Sequence, residues 1–290
     1  MKSADFAFHR PGDIAEAVRY LQDYDGGARV LAGGQSLVPM MNMRLWRPGA
    51  LVDINGLSDL AVLTAEGDET RIGALTRYTT LEFSPLVAAR LPLLKAMVAF
   101  VGDRQVRNRG TIGGSLVQGD PTGEMPLGCL VLGATVDVLG PTGARTVAMA
   151  DLYEGAYAAT LARDEVLTEI RIPQHPPHFA FRECCRRHND FCVLSVAATG
   201  HVSDDGRWGG LRIGLGGVND TPVLAEAAMA LLEGSRLDDA DIAAAGEAAL
   251  GAIDPPDDIR GSAEYRAHLV PLYVARTLRD LRASGQGAAG

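Results

Sequence analysis

The chain is poor in cysteine, and the cysteines it has are badly spaced for metal. There are four: Cys129, Cys184, Cys185 and Cys192. None stands in a C-x-x-C pair, and no second cluster accompanies the adjacent Cys184 and Cys185. This argues against an iron–sulfur cluster held by this chain alone and points to reduced, mostly buried thiols. Long apolar runs are also missing. The longest, residues 127–138, is far short of a membrane span and contains Asp137. Met1-Lys2-Ser3-Ala4-Asp5 leads into no apolar stretch of the secretory type, so a cytoplasmic protein is expected. Positive charge is scarce as well. The net charge of −9 argues against a general binder of nucleic acid or membrane surfaces. The basic cluster at residues 182–187 is too local to change that. No G-x-G-x-x-G follows a strand, so a Rossmann fold is not indicated.

Glycine, by contrast, stands in telling places. Arg29-Val30-Leu31-Ala32-Gly33-Gly34-Gln35-Ser36-Leu37 reads as the end of a buried strand, then two glycines and two polar residues. Glycine lets the backbone take positive φ and approach a ligand closely. Successive N–H groups in such a turn can converge on an anion. Gly110-Thr111-Ile112-Gly113-Gly114-Ser115 repeats the pattern. Either stretch alone is more often just a turn. Together they suggest two backbone nests for the two phosphates of a dinucleotide. Arg104, Arg107 and Arg109, just before the second stretch, either face phosphate or make a solvated turn. Asp120 and Glu124, just behind it, suit ribose hydroxyls or an isoalloxazine ring as hydrogen-bond acceptors.

At 290 residues, 47 % hydrophobic and 22 % charged, the chain can build two domains with real cores. Asp13 and Glu16 form a capping-box pattern ahead of Ile14, Ala17, Val18 and Leu21 at helical spacing. Met40, Met41 and Met43 read as core filling. Short strands are expected at 51–54, 61–63 and 71–74. A helical stretch starts at Thr79 and is broken by Pro85 and Pro92, and a further helix covers 93–101. Residues 135–147 read as a hairpin, and 166–172 as a strand running out of a domain. Pro173-Gln174-His175-Pro176-Pro177-His178 is the linker candidate, with both histidines solvated. Beyond it, strands are expected at 179–182, 193–199 and 211–215, with a turn at Gly216-Gly217. Helices follow at 223–232 and 238–252. A last one runs from a Ser262 cap through Leu281, kinked or split by Pro271. The tail after Ser284 should be loose. Strands followed by three helices make the C-terminal part α+β.

Ala32-Gly33-Gly34-Gln35-Ser36 and Thr111-Ile112-Gly113-Gly114-Ser115 resemble the two FAD-pyrophosphate signatures of the flavoprotein (medium) subunit of molybdenum hydroxylases, the carbon monoxide dehydrogenase and xanthine dehydrogenase group. Asp120-Pro121 with Glu124 is similar to that family's segment after the second signature. Residues 181–191 are similar to the opening of its C-terminal domain, and Ala263-Glu264-Tyr265-Arg266 to its last helix. The resemblance implies an α+β chain. Residues 1–175 would form a two-lobed FAD-binding domain of the vanillyl-alcohol-oxidase (PCMH) type. Residues 178–290 would form a domain with a small antiparallel sheet and three helices. It implies non-covalent FAD, held through Leu31, Ala32, Gly33, Gly34, Gln35, Ser36 and Leu37 and through Thr111, Gly113, Gly114 and Ser115. Val101, Asp120, Glu124, Leu161 and Arg182 would line the cofactor. Gln35 departs from the His of many relatives, and Ser115 from their Asn; both leave the flavin potential open. The cofactor would do the redox chemistry, so no catalytic or metal-binding residue is assigned. Molybdopterin and 2Fe-2S clusters would sit on a large and a small partner subunit, in a dimer of heterotrimers. A stand-alone FAD oxidase and a non-enzymatic nucleotide-binding scaffold are the alternatives.

Overall fold

The computed structural model of the protein describes residues 2–286. Asp13 starts the first helix as its spacing predicts. Its carboxylate accepts from the Glu16 N–H at 2.7 Å, and Glu16 accepts from the Gly12 N–H at 2.6 Å. Such a cap is worth about 1 kcal/mol. The first lobe runs β1 (Ala7–His9), α1 (Ile14–Asp23), β2 (Ala28–Leu31), α2 (Leu37–Asn42) and β3 (Ala50–Asp53). Its three strands are parallel in the order β1-β3-β2. Ala17, Val18 and Leu21 pack against Ala50, Val52 and Ile54 to form its core. The methionines divide. Met41 is buried, whereas Met43 is 51 % exposed and fills no core.

The second lobe runs β4 (Leu63–Glu66), β5 (Glu69–Gly73), α3 (Tyr78–Phe83), α4 (Pro85–Arg90), α5 (Pro92–Val98), α6 (Arg104–Arg109), α7 (Ile112–Gln118) and α8 (Glu124–Val131). The hairpin β6 (Thr135–Gly140) and β7 (Gly143–Ala148), the short strands β8 (Tyr153–Gly155) and β9 (Ala158–Ala159), and β10 (Val166–Ile172) complete it. Its main sheet is antiparallel, ordered β4-β5-β10-β6-β7. Residues 125–131 of α8 are all buried in the largest core. Several expectations change here. The strand expected at 61–63 begins as a 3-10 turn, Ser58–Ala61, and β4 starts only at Leu63. The helical stretch is broken at Pro85 and Pro92 as expected, and each proline opens the next helix, because a first-turn proline lacks only an N–H that would be unpaired anyway. Residues 104–109 are a helix and not a turn, capped by Asp103 through the Val106 N–H.

The C-terminal part has an antiparallel sheet of β11 (His178–Cys184), β12 (Leu194–Val202), β13 (Trp208–Gly216) and β14 (Val223–Leu224), then α9 (Glu226–Leu232), α10 (Asp239–Ala248) and α11 (Ala263–Gln286). The helix expected at 223–232 therefore splits. Val223 and Leu224 pair with β13, and the Ala225 N–H still reaches the Ile213 carbonyl at 2.9 Å. Ser262 caps α11 as expected, and Pro271 lies inside one continuous helix. That helix runs past Ser284 to Gln286, which corrects the loose tail as far as the description goes. Residues 287–290 of that tail lie outside the described residues. One face of the sheet packs on α8, and Arg212 of β13 donates to the Leu130 and Val131 carbonyls at 2.9 and 2.6 Å. The connecting segment is anchored and not solvated. His175 Nε2 accepts from the Leu93 N–H at 3.2 Å, and burial lowers the imidazole pKa, favouring the neutral acceptor. No helix among the described residues is long and apolar enough to cross a membrane.

Candidate functional site

Strand β2 ends at Leu31, and the chain turns at once. Gly34 has φ +72°, the left-handed conformation that glycine adopts most easily. Gln35 Nε2 closes the turn on the Gly33 carbonyl at 3.0 Å. The Val38 N–H donates to the Gly34 carbonyl at 3.0 Å and the Met40 N–H to the Ser36 carbonyl at 3.1 Å. The main-chain N–H groups of Gly33, Gly34, Gln35, Ser36 and Leu37 have no acceptor among the described residues. The Ser36 hydroxyl makes no capping bond either. This is a concave run of unspent donors suited to an anion.

The second glycine stretch differs. Thr111 caps α7, its hydroxyl accepting from the Gly114 N–H at 3.2 Å. The Ile112 N–H donates to the Thr76 carbonyl, the Gly113 N–H to that of Ala74 and the Ser115 N–H to that of Thr111. The expectation of a second open nest is thus corrected: the donors of Ile112, Gly113, Gly114 and Ser115 are already engaged in starting a helix. What the stretch offers is a bare Gly114 surface and the Ser115 hydroxyl. The two stretches touch. A Cβ on Gly33 would collide with the Arg109 carbonyl and lie 2.9 Å from Gly110 Cα, and one on Gly114 would lie 3.9 Å from Ala32 Cβ.

A polar brace that sequence reasoning missed holds them together. Asn55 Nδ2 donates to the Ala32 carbonyl at 2.8 Å, the Leu31 carbonyl at 3.3 Å and Asp53 Oδ1 at 2.6 Å. Arg77 donates to Asn55 Oδ1 at 2.5 Å and also to the Arg109 carbonyl. Arg10 pairs with Asp53 at 2.9 Å. Against the cost of burial, hydrogen bonds from Asn55 and Arg10 hold the Asp53 carboxyl below its ordinary pKa. The signal was Asp53-x-Asn55 directly after a strand, a sequence that favours side-chain-to-backbone turns. Arg107, one of the arginines considered for phosphate, is engaged elsewhere: it pairs with Glu82 at 3.0 Å and donates to the Val101 and Gly102 carbonyls.

Asp120 and Glu124 flank a segment that meets the C-terminal part, where the Gly217 N–H donates to the Pro121 carbonyl at 2.9 Å and the Cys192 thiol to the Thr122 carbonyl at 3.5 Å. Asp120 accepts from the Thr122 N–H and hydroxyl at 2.9 and 2.8 Å and from the Tyr157 hydroxyl at 3.2 Å. Val101 and Leu161, both half-buried, pack on the second-lobe core. Glu124 opens α8, and burial, then the neighbouring Glu183, pushes its pKa up to about 8. Arg182 does not behave as expected. Its guanidinium pairs with Asp280 of α11 at 2.5 Å, so the side chain is already engaged. Strand alternation turns Glu183 to the opposite face, where Phe181 meets Phe100 with ring centroids 5.2 Å apart. Both Glu183 carboxylate oxygens are buried without a hydrogen-bond partner.

This chain matches the model of the FAD binding domain in molybdopterin dehydrogenase over residues 4–175. It matches that of the CO dehydrogenase flavoprotein C-terminal domain over residues 179–281. It belongs to this family. The chain is 38 % identical over 285 residues to the carbon monoxide dehydrogenase medium chain of Afipia carboxidovorans, covering 98 % of this chain and 99 % of that one. It is 36 % identical to the alpha subunit of the 6-hydroxypseudooxynicotine dehydrogenase complex of Paenarthrobacter nicotinovorans, covering 96 % and 95 %. Its fold superposes on a solved carbon monoxide dehydrogenase chain from Hydrogenophaga pseudoflava with TM-score 0.95 and 36 % identity, covering 98 % and 99 %. The chain is thus an FAD-binding oxidoreductase subunit of the molybdenum hydroxylase family, with the two-lobed FAD-binding domain and sheet-and-helix C-terminal domain that the resemblance implied. The residues present fit FAD: the free main-chain donors from Gly33 to Leu37 suit the pyrophosphate. Among the described residues, no group of three or more His, Cys, Asp or Glu could hold a metal ion.

Proposed function

We propose that this chain carries electrons within a molybdenum hydroxylase complex. It accepts them from iron–sulfur clusters of a small partner subunit and passes them to an external acceptor. The observation that carries the reading is the run of unspent N–H groups from Gly33 to Leu37 facing the second glycine stretch. Bound FAD supplies the redox chemistry; the chain's own residues bind and orient it. Ala32, Gly33, Gly34, Gln35 and Ser36, flanked by Leu31 and Leu37, hold the pyrophosphate through main-chain donors. Thr111, Gly113, Gly114 and Ser115 shape the opposite side. Asp120 and Glu124 accept from ribose hydroxyls or the ring, and Val101, Leu161 and the Arg182 main chain exclude water. The FAD-binding domain occupies residues 1–175 and the C-terminal domain 178–290. Relatives named as medium chains and as a complex subunit support a multi-subunit assembly. In this reading the partners bear the iron–sulfur and molybdopterin groups and the complex is a dimer of heterotrimers.

The rim offers the partner a surface. Val38, Met43 and Leu45 are 42, 51 and 66 % exposed beside the first glycine stretch, and Arg104 and Arg109 are exposed beside the second. A charged rim steers and orients a docking partner. The test is to purify the chain alone and with the small and large subunits encoded beside it. The isolated chain is expected to bind FAD and contain no iron, and its FAD should stay oxidised with an organic hydroxylase substrate. The assembled complex should reduce it. Substrate-dependent reduction in the isolated, metal-free chain would establish a stand-alone oxidase instead, and a chain that binds no FAD would establish a scaffold.

A further inference from the structure

We propose that Arg266 is a positioning residue for the FAD site: from the last helix of the C-terminal domain, its buried guanidinium fixes the sheet end that holds the Asp120–Thr122 segment of the FAD-binding domain in place. The proposal rests on the FAD reading above. Arg266 stands in the first turn of α11 and is fully buried. A guanidinium in a protein interior is costly unless its charge is paired and its donors are spent. Here it meets three acceptors. One Nη donates to the Val193 carbonyl at 2.5 Å and to the Gly217 carbonyl, and the other pairs with Asp258 at 2.6 Å. Asp258 also accepts from the main-chain N–H groups of Arg260 and Gly261 at 2.8 and 3.2 Å, so the loop before α11 is built around the counter-charge. Of the guanidinium nitrogens, Nε alone has no partner.

The two carbonyls mark one end of the sheet. Val193 directly precedes β12, Gly217 directly follows β13, and Ser195 pairs with Gly216 in the register between them. The two backbones approach closely there: a Cβ on Gly217, which has φ +77°, would lie 2.9 Å from the Val193 carbonyl oxygen. The same sheet end reaches across to the other domain. The Gly217 N–H donates to the Pro121 carbonyl at 2.9 Å, and the Cys192 thiol to the Thr122 carbonyl at 3.5 Å. Each donor therefore sits at, or next to, a residue that Arg266 holds. Each acceptor belongs to the segment whose Asp120 carboxylate is fixed by the N–H and hydroxyl of Thr122. The path from α11 to Asp120 is a run of direct hydrogen bonds across the domain junction: guanidinium to Gly217, Gly217 to Pro121, and Thr122 to Asp120. A lysine does not replace the guanidinium, because an ammonium lacks the planar fork that reaches two carbonyls and a carboxylate together. Without the fork, buried carbonyls lose their donor, and the sheet end can shift with the segment it carries.

The test compares the full-length wild type with R266K, R266M and D258N, each checked for folding by circular dichroism. FAD affinity is measured by flavin fluorescence titration of the apo chains. R266K should weaken binding by about tenfold, the scale of one lost hydrogen bond to a charged group, and R266M by more. D258N removes the counter-charge from a partly exposed loop residue and should weaken binding by a smaller factor; it reports on the same guanidinium should R266M fail to fold. A route through the Asp120 segment also predicts non-additivity: once D120N has removed the carboxylate, R266K should cost less than it does alone. A residue that serves only the stability of the C-terminal domain would give losses that add in full. Wild-type affinity in the Arg266 variants, or full additivity with D120N, overturns the proposal. Calorimetric unfolding of the apo chain is a readout that needs no FAD. Two domains clamped at this junction should melt as one transition in wild type and as two in R266K and D258N, and two transitions already in wild type would overturn the clamp. A wild type that binds no FAD yet shows this change on substitution would sink the FAD reading and leave the clamp standing. A wild type that binds FAD, with variants that bind it equally well, would do the reverse.

Discussion

At the scale of single residues, two glycines in one stretch do different work. Gly34 supplies a conformation, φ +72°, in which the chain turns directly after β2. Gly33 supplies room, because the Arg109–Gly110 backbone lies where its Cβ would be. Gly33→Val should therefore separate the two stretches and abolish FAD binding in a chain that still folds. Fluorescence titration with FAD and far-UV circular dichroism check both halves of that statement, and full flavin occupancy would refute the close-contact account. The cysteines act as small core residues. Cys129 and Cys192 are 0 and 1 % exposed, and the Cys192 thiol leans on the Thr122 carbonyl at 3.5 Å. Replacing both by alanine should cost roughly a few kcal/mol, on the scale of small core truncations, with flavin retained. Chemical denaturation of the purified variant measures this.

At the scale of elements, the glycine stretches depend on what braces them. The Asn55–Arg77 pair ties the end of β2 to the end of α6. Deleting the Asn55 side chain leaves the Leu31 and Ala32 carbonyls without a donor, at a cost of about 1–3 kcal/mol for an unsatisfied buried group. Asn55→Ala should weaken FAD binding by about tenfold or more with little change in secondary structure; unaltered affinity would show that the brace is dispensable. Sequence reading found most elements because hydrophobic period and capping chemistry are local. It failed where a neighbour decided. Val223 and Leu224 look like the start of a helix until β13 offers them strand partners. Arg107 looks free for phosphate until Glu82, 25 residues away in sequence, claims it.

At the scale of the whole molecule, the proposed FAD site draws on both lobes. The first lobe carries the open nest, and the second carries the helix start at Thr111 together with Asp120 and Glu124. Neither glycine stretch contains a His, Cys or Tyr that could bond the ring, so the flavin should be released completely by acid precipitation. Flavin fluorescence remaining on the denatured protein band would contradict non-covalent attachment.

Motif spacing by itself determined that this chain has two similar glycine stretches, no chelating cysteine pattern, and the family signatures that identify an FAD subunit. Those features are encoded in residue type and short-range order. Only the tertiary structure decided that the first stretch keeps its donors free while the second has already engaged them. It alone decided that Asn55 and Arg77 bind the two stretches together, and that Arg182 and Glu183 face opposite ways. The reason is physical: whether an N–H or a carboxylate is available to a ligand depends on which partner the rest of the fold has brought within about 3 Å of it, and that distance is set by packing between segments far apart in the sequence.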